Sequence, residues 1–123
     1  MTKPAGATLL LRAEGLFFAA IGLFLFAVGG ESWWLFAALV LVPDLSMLFY
    51  LGGPRLGALG YNAFHTYCAP LLVAAFGWFG NQGVLLTVAL VWLVHIGIDR
   101  ALGFGLKLPS GFRDTHLGRI GPA

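Results

Sequence analysis

The sequence predicts an all-α integral membrane protein, folded as a four-helix up-down bundle with a short polar C-terminal tail. Two observations support this prediction. First, the 123 residues are 59% hydrophobic and only 10% charged, whereas soluble globular chains carry about 25% charged residues. Second, the apolar residues are gathered into four runs, each near the ~20 residues that a helix needs to cross a membrane.

Short breaks rich in glycine separate the four apolar runs. The four predicted spans are residues 8–28, 33–51, 56–79 and 84–104, and the tail is residues 105–123. Together they form one membrane domain of residues 1–123. Helices are the expected form because lipid cannot satisfy open backbone hydrogen-bonding groups. Since the breaks are short, consecutive helices are expected to be antiparallel neighbours.

The basic residues predict the orientation of the chain. All seven fall at the start of the first span, between the second and third spans, or at and after the end of the fourth; they are Lys3, Arg12, Arg55, Arg100, Lys107, Arg113 and Arg119. Because basic residues accumulate on the cytoplasmic side, we expect both termini in the cytoplasm. The bilayer is the expected partner, and the three basic residues of the tail should bind anionic head groups. The chain has no basic face or arm suited to nucleic acid.

Every predicted helix carries an ionisable side chain in its cytoplasmic half. Glu14 lies ~9 Å into the first span, and Asp44 lies ~11 Å from the cytoplasmic end of the second. His65 and His95 lie ~14 Å deep in the third and fourth spans. Asp99 is one helical turn after His95 and shares its face. A charge at the centre of a span costs about 2.5–3.5 kcal/mol, so these side chains are expected to converge.

Two prolines interrupt the predicted spans next to polar positions. Pro43 directly precedes Asp44, and Pro70 follows His65 by five residues. A proline inside a helix removes a backbone donor and frees the carbonyl four residues earlier. We therefore expect a kink in the second and third spans, close to the ionisable side chains.

The convergent side chains predict a divalent metal site. Imidazole and carboxylate groups suit Zn²⁺, Fe or Mn, and helical bundles build such sites from inward-facing side chains. The tail has an apolar side, so we expect it to fold back and close the cytoplasmic mouth with its acid and histidine. The predicted metal-site residues are Glu14, Asp44, His65, His95, Asp99, Asp114 and His116, and the pocket residues beside them are Ser46, Tyr50, Asn62 and Arg100.

Other interpretations of the same residues stay open. The cluster could be a metal-free acid–base site for a small or lipid-like molecule, in which burial makes a carboxyl group a proton donor. It could relay protons or ions across part of the membrane. It could also be a structural network in which Arg12, Arg55 and Arg100 pair with the acids, as in an accessory subunit of a membrane complex. The sequence leaves the oligomeric state and any enzymatic activity undecided.

Four motifs resemble a known family. The segments PDLSMLFYLGGPRLG, YNAFHTY, HIGIDRALGFGLK and GFRDTHLGRIG resemble the domain of unknown function 4260 family, and the resemblance extends from Arg12 to Gly121. It implies a small integral membrane protein of bacteria, in the inner membrane, with no established activity. The motif residues that it carries over, without roles, are Glu14, Asp44, Ser46, Tyr50, Asn62, His65, Thr66, Tyr67, His95, Asp99, Arg100, Lys107, Asp114 and His116.

Overall fold

A computed structural model describes residues 5–121, so Lys3 lies outside the described residues. Within them the chain forms five α-helices, one 3-10 helix and a two-stranded hairpin, and the prediction of an all-helical membrane-type fold is confirmed. In chain order the elements are α1 (Ala5–Val28), α2 (Trp33–Leu39), the 3-10 helix (Val42–Gly52), α3 (Pro54–His65), α4 (Cys68–Phe79), α5 (Gly83–Leu102), β1 (Lys107–Leu108) and β2 (Gly111–Thr115).

The helices carry the length and surface of a membrane protein. Three stretches are long and apolar enough to cross a bilayer, namely Gly6–Val28, Trp33–Gly52 and Gly83–Leu102. Helix α4 is also apolar, but its 12 residues span only ~18 Å. Large apolar side chains cover the outside; Leu51 and Phe79, for example, are 89% and 87% exposed. An apolar surface of this extent indicates contact with lipid.

Each of the two prolines lies where an apolar run is divided into two helices. The second run contains α2 and the 3-10 helix, and Pro43 lies in the first turn of the 3-10 helix. The third run contains α3 and α4; its backbone is extended at Thr66, and Pro70 lies in the first turn of α4. Proline suits a first turn because that turn needs no N–H donor from it. The predicted kinks are therefore helix breaks.

Helix α5 lies at the centre of the molecule and packs closely against α1. Its residues Val94 and Ile96 are fully buried. At the contact Gly97 faces Gly15 and Ala19 of α1, and a Cβ atom added at Gly97 would lie 2.7 Å from the Ala19 amide nitrogen. Small residues allow helix backbones to approach in this way. The 3-10 helix packs on α3, and α4 packs on α5.

The tail folds back as an antiparallel hairpin against α3. The Asn62 side chain donates to the Lys107 carbonyl at 2.8 Å and accepts from the Lys107 amide at 2.6 Å. In the hairpin Lys107 is paired with Thr115. Leu117, just after β2, is 2% exposed. Leu117 is thus buried, and one asparagine supplies two hydrogen bonds between the tail and α3.

We predict that Gly97→Ala destabilises the protein by about 1–3 kcal/mol, because the added methyl group must displace the backbone of α1. Gly83→Ala, at the start of the same helix, is the matched control, since a Cβ atom there meets nothing within 4 Å. Thermal unfolding of both variants in detergent measures the difference. Equal Tm values for the two variants would contradict the close contact between α1 and α5.

Candidate metal centre

Four side chains from three elements converge at one point. The 3-10 helix supplies Asp44, and His65 is the last residue of α3. Helix α5 supplies His95 and Asp99. One ligand atom from each residue lies within 4.8 Å of the others. Within residues 5–121 this is the one group of three or more histidine, cysteine and acidic residues that could hold a metal ion.

The distances between the ligand atoms match a single small cation. The Nε2 atoms of His65 and His95 are 3.2 Å apart. Asp44 Oδ1 lies 3.1 Å from each of them. Asp99 Oδ2 lies 3.2 Å from His95 Nε2 and 3.6 Å from His65 Nε2. Ligands about 2.0–2.1 Å from a tetrahedral metal lie about 3.3–3.4 Å from one another, so these five distances are close to those around one metal ion.

Backbone carbonyls hold the far nitrogen of both imidazoles. His65 Nδ1 donates to the Tyr61 carbonyl at 2.8 Å, and His95 Nδ1 donates to the Val40 carbonyl at 2.5 Å. A carbonyl oxygen can only accept, so the hydrogen is on Nδ1 in each ring. In a neutral imidazole Nε2 then has a lone pair, which here points into the cluster. Histidines that bind metals are usually oriented in this way.

The Val40 carbonyl is free for His95 because of the sequence around Pro43. In an α-helix this oxygen would accept from the Asp44 amide, but that amide donates to the Leu41 carbonyl at 3.0 Å. In 3-10 geometry its donor would be residue 43, and proline has no N–H. The same proline therefore begins the 3-10 turn that carries Asp44 and leaves the acceptor that orients His95.

Arg100 restrains the other imidazole through the backbone. Its Nη2 donates to the His65 carbonyl at 2.8 Å, and its Nη1 donates to the Phe104 carbonyl at 3.1 Å. The guanidinium is buried and makes no ion pair with an acid among the described residues. On the other side the Tyr61 ring stacks on the His65 ring, with centroids 3.7 Å apart. The end of α3 is thus fixed from two directions.

The imidazoles are sealed inside the protein, whereas the carboxylates are partly open. His65 is 0% exposed and His95 5%, but the side chains of Asp99 and Asp44 are 17% and 33% exposed. Both carboxylates border a cavity of about 180 Å³, whose other lining residues are Met47, Tyr61, Phe104, Lys107, Phe112 and Ile120. A larger apolar groove of about 360 Å³ contains none of the four cluster residues. A small molecule can therefore reach the cluster from the carboxylate side.

A family model described as Domain of unknown function (DUF4260) matches residues 8–120, which is nearly the whole chain. The chain belongs to this family. The resemblance that its motifs indicate is therefore confirmed. No curated protein and no solved structure matches the chain. Membership of DUF4260 assigns no activity to the cluster, so its chemistry must be argued from its geometry.

Three residues predicted for the metal site of this DUF4260 protein lie apart from the four-residue cluster. Glu14 is on the exposed surface of α1. Asp114 accepts a hydrogen bond from the Ser110 hydroxyl at 2.7 Å. His116 Nδ1 accepts from the Leu106 amide at 2.8 Å. The acid and the histidine of the tail therefore stabilise the hairpin, and their ligation of a metal remains a prediction.

The residues predicted to line the pocket support it from outside. The Ser46 hydroxyl donates to the Pro43 carbonyl at 2.7 Å and so stabilises the turn that carries the first aspartate. Tyr50 packs edge-on against Phe112, with ring centroids 5.2 Å apart, and its buried hydroxyl has no hydrogen-bond partner in the described chain. Asn62 holds the tail. Among the described contacts none of the three touches a ligand atom of the cluster.

Lys107 is the residue whose position the sequence did not indicate. It is only 4% exposed, and its Nζ lies 4.0 Å from the ring centroid of Phe112 and 4.9 Å from that of Tyr61. Burial lowers the pKa of Lys107, and the two cluster carboxylates act in the opposite direction. The head-group role expected for it does not fit this burial. In the sequence it is one of three basic residues in a polar tail, and the family motif that contains it gives it no role.

We predict that Asn62→Ala releases the hairpin from α3. The change leaves the amide and the carbonyl of Lys107 without their partners, and an unsatisfied buried group costs about 1–3 kcal/mol. Hydrogen–deuterium exchange of the tail should accelerate at least ~10-fold. Gln82→Ala, in an exposed loop, is the control and should leave this exchange unchanged. The same rate in Asn62→Ala as in the wild type would show that other contacts hold the tail.

Proposed function

We propose that this chain is an integral membrane protein that binds one divalent transition metal, Zn²⁺, Fe²⁺ or Mn²⁺, at Asp44, His65, His95 and Asp99. The metal would serve acid–base chemistry on a small or lipid-like molecule. The observation that carries the proposal is the convergence of two imidazole nitrogens and two carboxylate oxygens, all acceptors. The hydrogens of both rings are on their far side, bound to backbone carbonyls.

A divalent metal would balance the charge of the cluster. Two neutral imidazoles and two ionised carboxylates carry a net charge of −2 in an apolar environment, which is costly unless compensated. Protons on both imidazoles would place two cations with their Nε2 atoms 3.2 Å apart, whereas protons on both carboxylates would neutralise the cluster without a metal, as in a structural network. A divalent cation cancels the same charge and binds all four lone pairs without that repulsion.

The cavity supports a chemical role for the metal. A metal ion lowers the pKa of a bound water and polarises a bound carbonyl or phosphoryl oxygen. Asp44 and Asp99 border the cavity, so either carboxylate is placed to accept a proton from a molecule there. With four protein ligands, the substrate would bind by expanding the coordination number or by displacing one carboxylate. Expansion suits Fe²⁺ and Mn²⁺.

We further propose that the chain makes four crossings in an up-down bundle, with both termini in the cytoplasm of a bacterial inner membrane. The crossings are α1, α2 with the 3-10 helix, α3 with α4, and α5. Arg12 Nε donates to the Ala101 carbonyl at 2.9 Å, which joins the first turns of α1 to the end of α5. The Asn62 bonds to Lys107 join α3 to the tail at that end. The basic residues accumulate there, as on a cytoplasmic face.

We predict that the protein purified in mild detergent contains about one Zn, Fe or Mn per chain, measured by elemental mass spectrometry. His65→Ala and His95→Ala should each reduce this content at least ~10-fold, because each change removes one ligand. His116→Ala is the matched control, since its ring lies in the tail hairpin, and it should retain the metal.

A wild-type protein that neither retains nor takes up any of the three metals would overturn the proposed metal site. Loss of metal from a folded His116→Ala protein as well would contradict the four-residue site and make the tail histidine a further ligand. A folded, metal-free protein would favour a structural network of polar residues, as in an accessory subunit. Circular dichroism of each variant separates loss of the metal from loss of the fold.

The proposed orientation predicts which positions face the cell exterior. In a Cys68→Ser background, Glu31→Cys should react with a membrane-impermeant maleimide on intact cells, because the loop after α1 is expected outside. Ser110→Cys, in the tail hairpin, should react only after the membrane is permeabilised. Labelling of the Ser110→Cys chain in intact cells would reverse or reject the orientation.

A further inference from the structure

The side chain of Lys107 is buried, and its ammonium group makes no ion pair with an acid in the described part of the chain. The side chain is 4% exposed, and no carboxylate of residues 5–121 makes an ion pair with it within 4.0 Å. Its neighbours are the ring faces of Phe112 and Tyr61, at 4.0 and 4.9 Å from Nζ. Aromatic faces attract a cation but do not neutralise its charge. The carboxylates of Asp44 and Asp99 favour its charged form from beyond ion-pair distance, so no anion of the described chain is in direct contact with the ammonium group.

The position of Lys107 is built by the fold. The side-chain amide of Asn62 hydrogen-bonds both the N–H and the carbonyl of Lys107. Asn62 lies three residues before His65 in α3. Its side chain lines the cavity that Asp44 and Asp99 also border. This contrasts with a surface lysine, whose ammonium group moves freely in water. A charged group is therefore held at the wall of the cavity, near the proposed metal.

The sum of the charges around the cavity selects the charge of its ligand. This step rests on the proposed function: a divalent metal cancels the charges of Asp44 and Asp99, and the two imidazoles stay neutral. Lys107 then leaves one positive charge in a partly closed, mostly apolar space. A monoanion makes the sum zero, whereas a neutral or cationic molecule leaves the ammonium group unpaired.

The remaining walls indicate what is attached to that anionic group. They are formed by the apolar side chains Met47, Phe104, Phe112 and Ile120. The cavity is small, at about 180 Å³. It holds an acidic group with the first carbon atoms of an attached chain, and any longer chain must leave the cavity. The outer surface of the protein near it is apolar, which suits such a chain.

We propose that this cavity binds a monoanionic amphiphile whose oxyanion lies between the metal and Lys107. The oxygen atoms bind the metal and accept hydrogen bonds from the ammonium group. The apolar body of the molecule packs against the aromatic and aliphatic wall. Lys107 is thus a substrate-binding residue, and the site acts on an acidic, lipid-like molecule.

The test uses the full chain, loaded with Co²⁺ in a neutral detergent, because the visible absorption of bound cobalt changes when its coordination changes. Sodium decanoate should alter the cobalt spectrum with saturation. Acetate should need at least ~10-fold higher concentration, since it lacks the apolar body. Decanol and decyltrimethylammonium should leave the spectrum unchanged. These two compounds share the decyl chain but lack the negative charge.

Substitutions then separate direct binding of the anion by Lys107 from a general effect of positive charge in the tail. Lys107→Met should bind cobalt as the wild type does and weaken decanoate binding ~10-fold, the loss expected for one charged hydrogen bond. Lys107→Arg should recover most of the affinity. Arg119→Met removes an exposed charge from the same tail and should leave decanoate binding unchanged. If Lys107→Met does not fold, decanoate affinity in Lys107→Arg and the comparison of decanoate with decanol on the wild type still test whether the cavity binds an anionic amphiphile.

Each result has one meaning. Stoichiometric cobalt with no response to decanoate, or an equal response to decanol, overturns this inference and leaves the metal site intact. Equal affinity for acetate and decanoate overturns the amphiphile and assigns a free small anion. Unchanged decanoate binding in a cobalt-loaded Lys107→Met protein overturns the role of the lysine. Absence of cobalt bands before any anion is added overturns the metal site together with the inference.

Discussion

The hydrogen bond from His95 Nδ1 to the Val40 carbonyl is the interaction on which the candidate site depends. It joins the central helix α5 to the break between α2 and the 3-10 helix, and it directs the Nε2 lone pair into the cluster. The carbonyl is free only because Pro43 offers no N–H and the Asp44 amide bonds to Leu41. One local feature of the backbone thus fixes a tautomer, a ring orientation and the position of a carboxylate ligand.

Both helix breaks follow the same physical rule. Irregular backbone is tolerated at membrane depth only where the protein itself satisfies the freed polar groups. At the first break His95 supplies the donor, and at the second Arg100 donates to the carbonyl of His65. The buried polar side chains therefore stabilise the breaks, and the breaks in turn bring ligands from separate elements to one point. The same hydrogen bonds therefore stabilise the fold and position the side chains of the candidate metal site.

The tail completes the site by adding a charge of opposite sign. Asn62 hydrogen-bonds both backbone groups of Lys107 and so holds the hairpin on α3. The lysine then borders the same cavity as the two carboxylates, together with several apolar side chains. The cavity consequently combines a cluster of acceptors, one cation and an apolar surface. That combination favours an acidic, lipid-like ligand over a neutral or cationic one.

The sequence by itself determined the membrane-type helical fold and the family, and it fixed where the ionisable side chains lie along their apolar runs. It also predicted that Asp44, His65, His95 and Asp99 approach one another, because depth and helical spacing follow from counting residues. Counting residues along a span predicts how far a side chain lies along the helix axis. It does not predict the rotation of the helix about that axis, and so it does not predict whether the side chain faces the interior or the outside. Glu14 has a similar depth, yet it lies on the exposed surface of α1 because the close contact with α5 uses the neighbouring Gly15. Only tertiary packing decided that rotation, the two helix breaks and the burial of the tail lysine, since each depends on contacts between residues far apart in the chain.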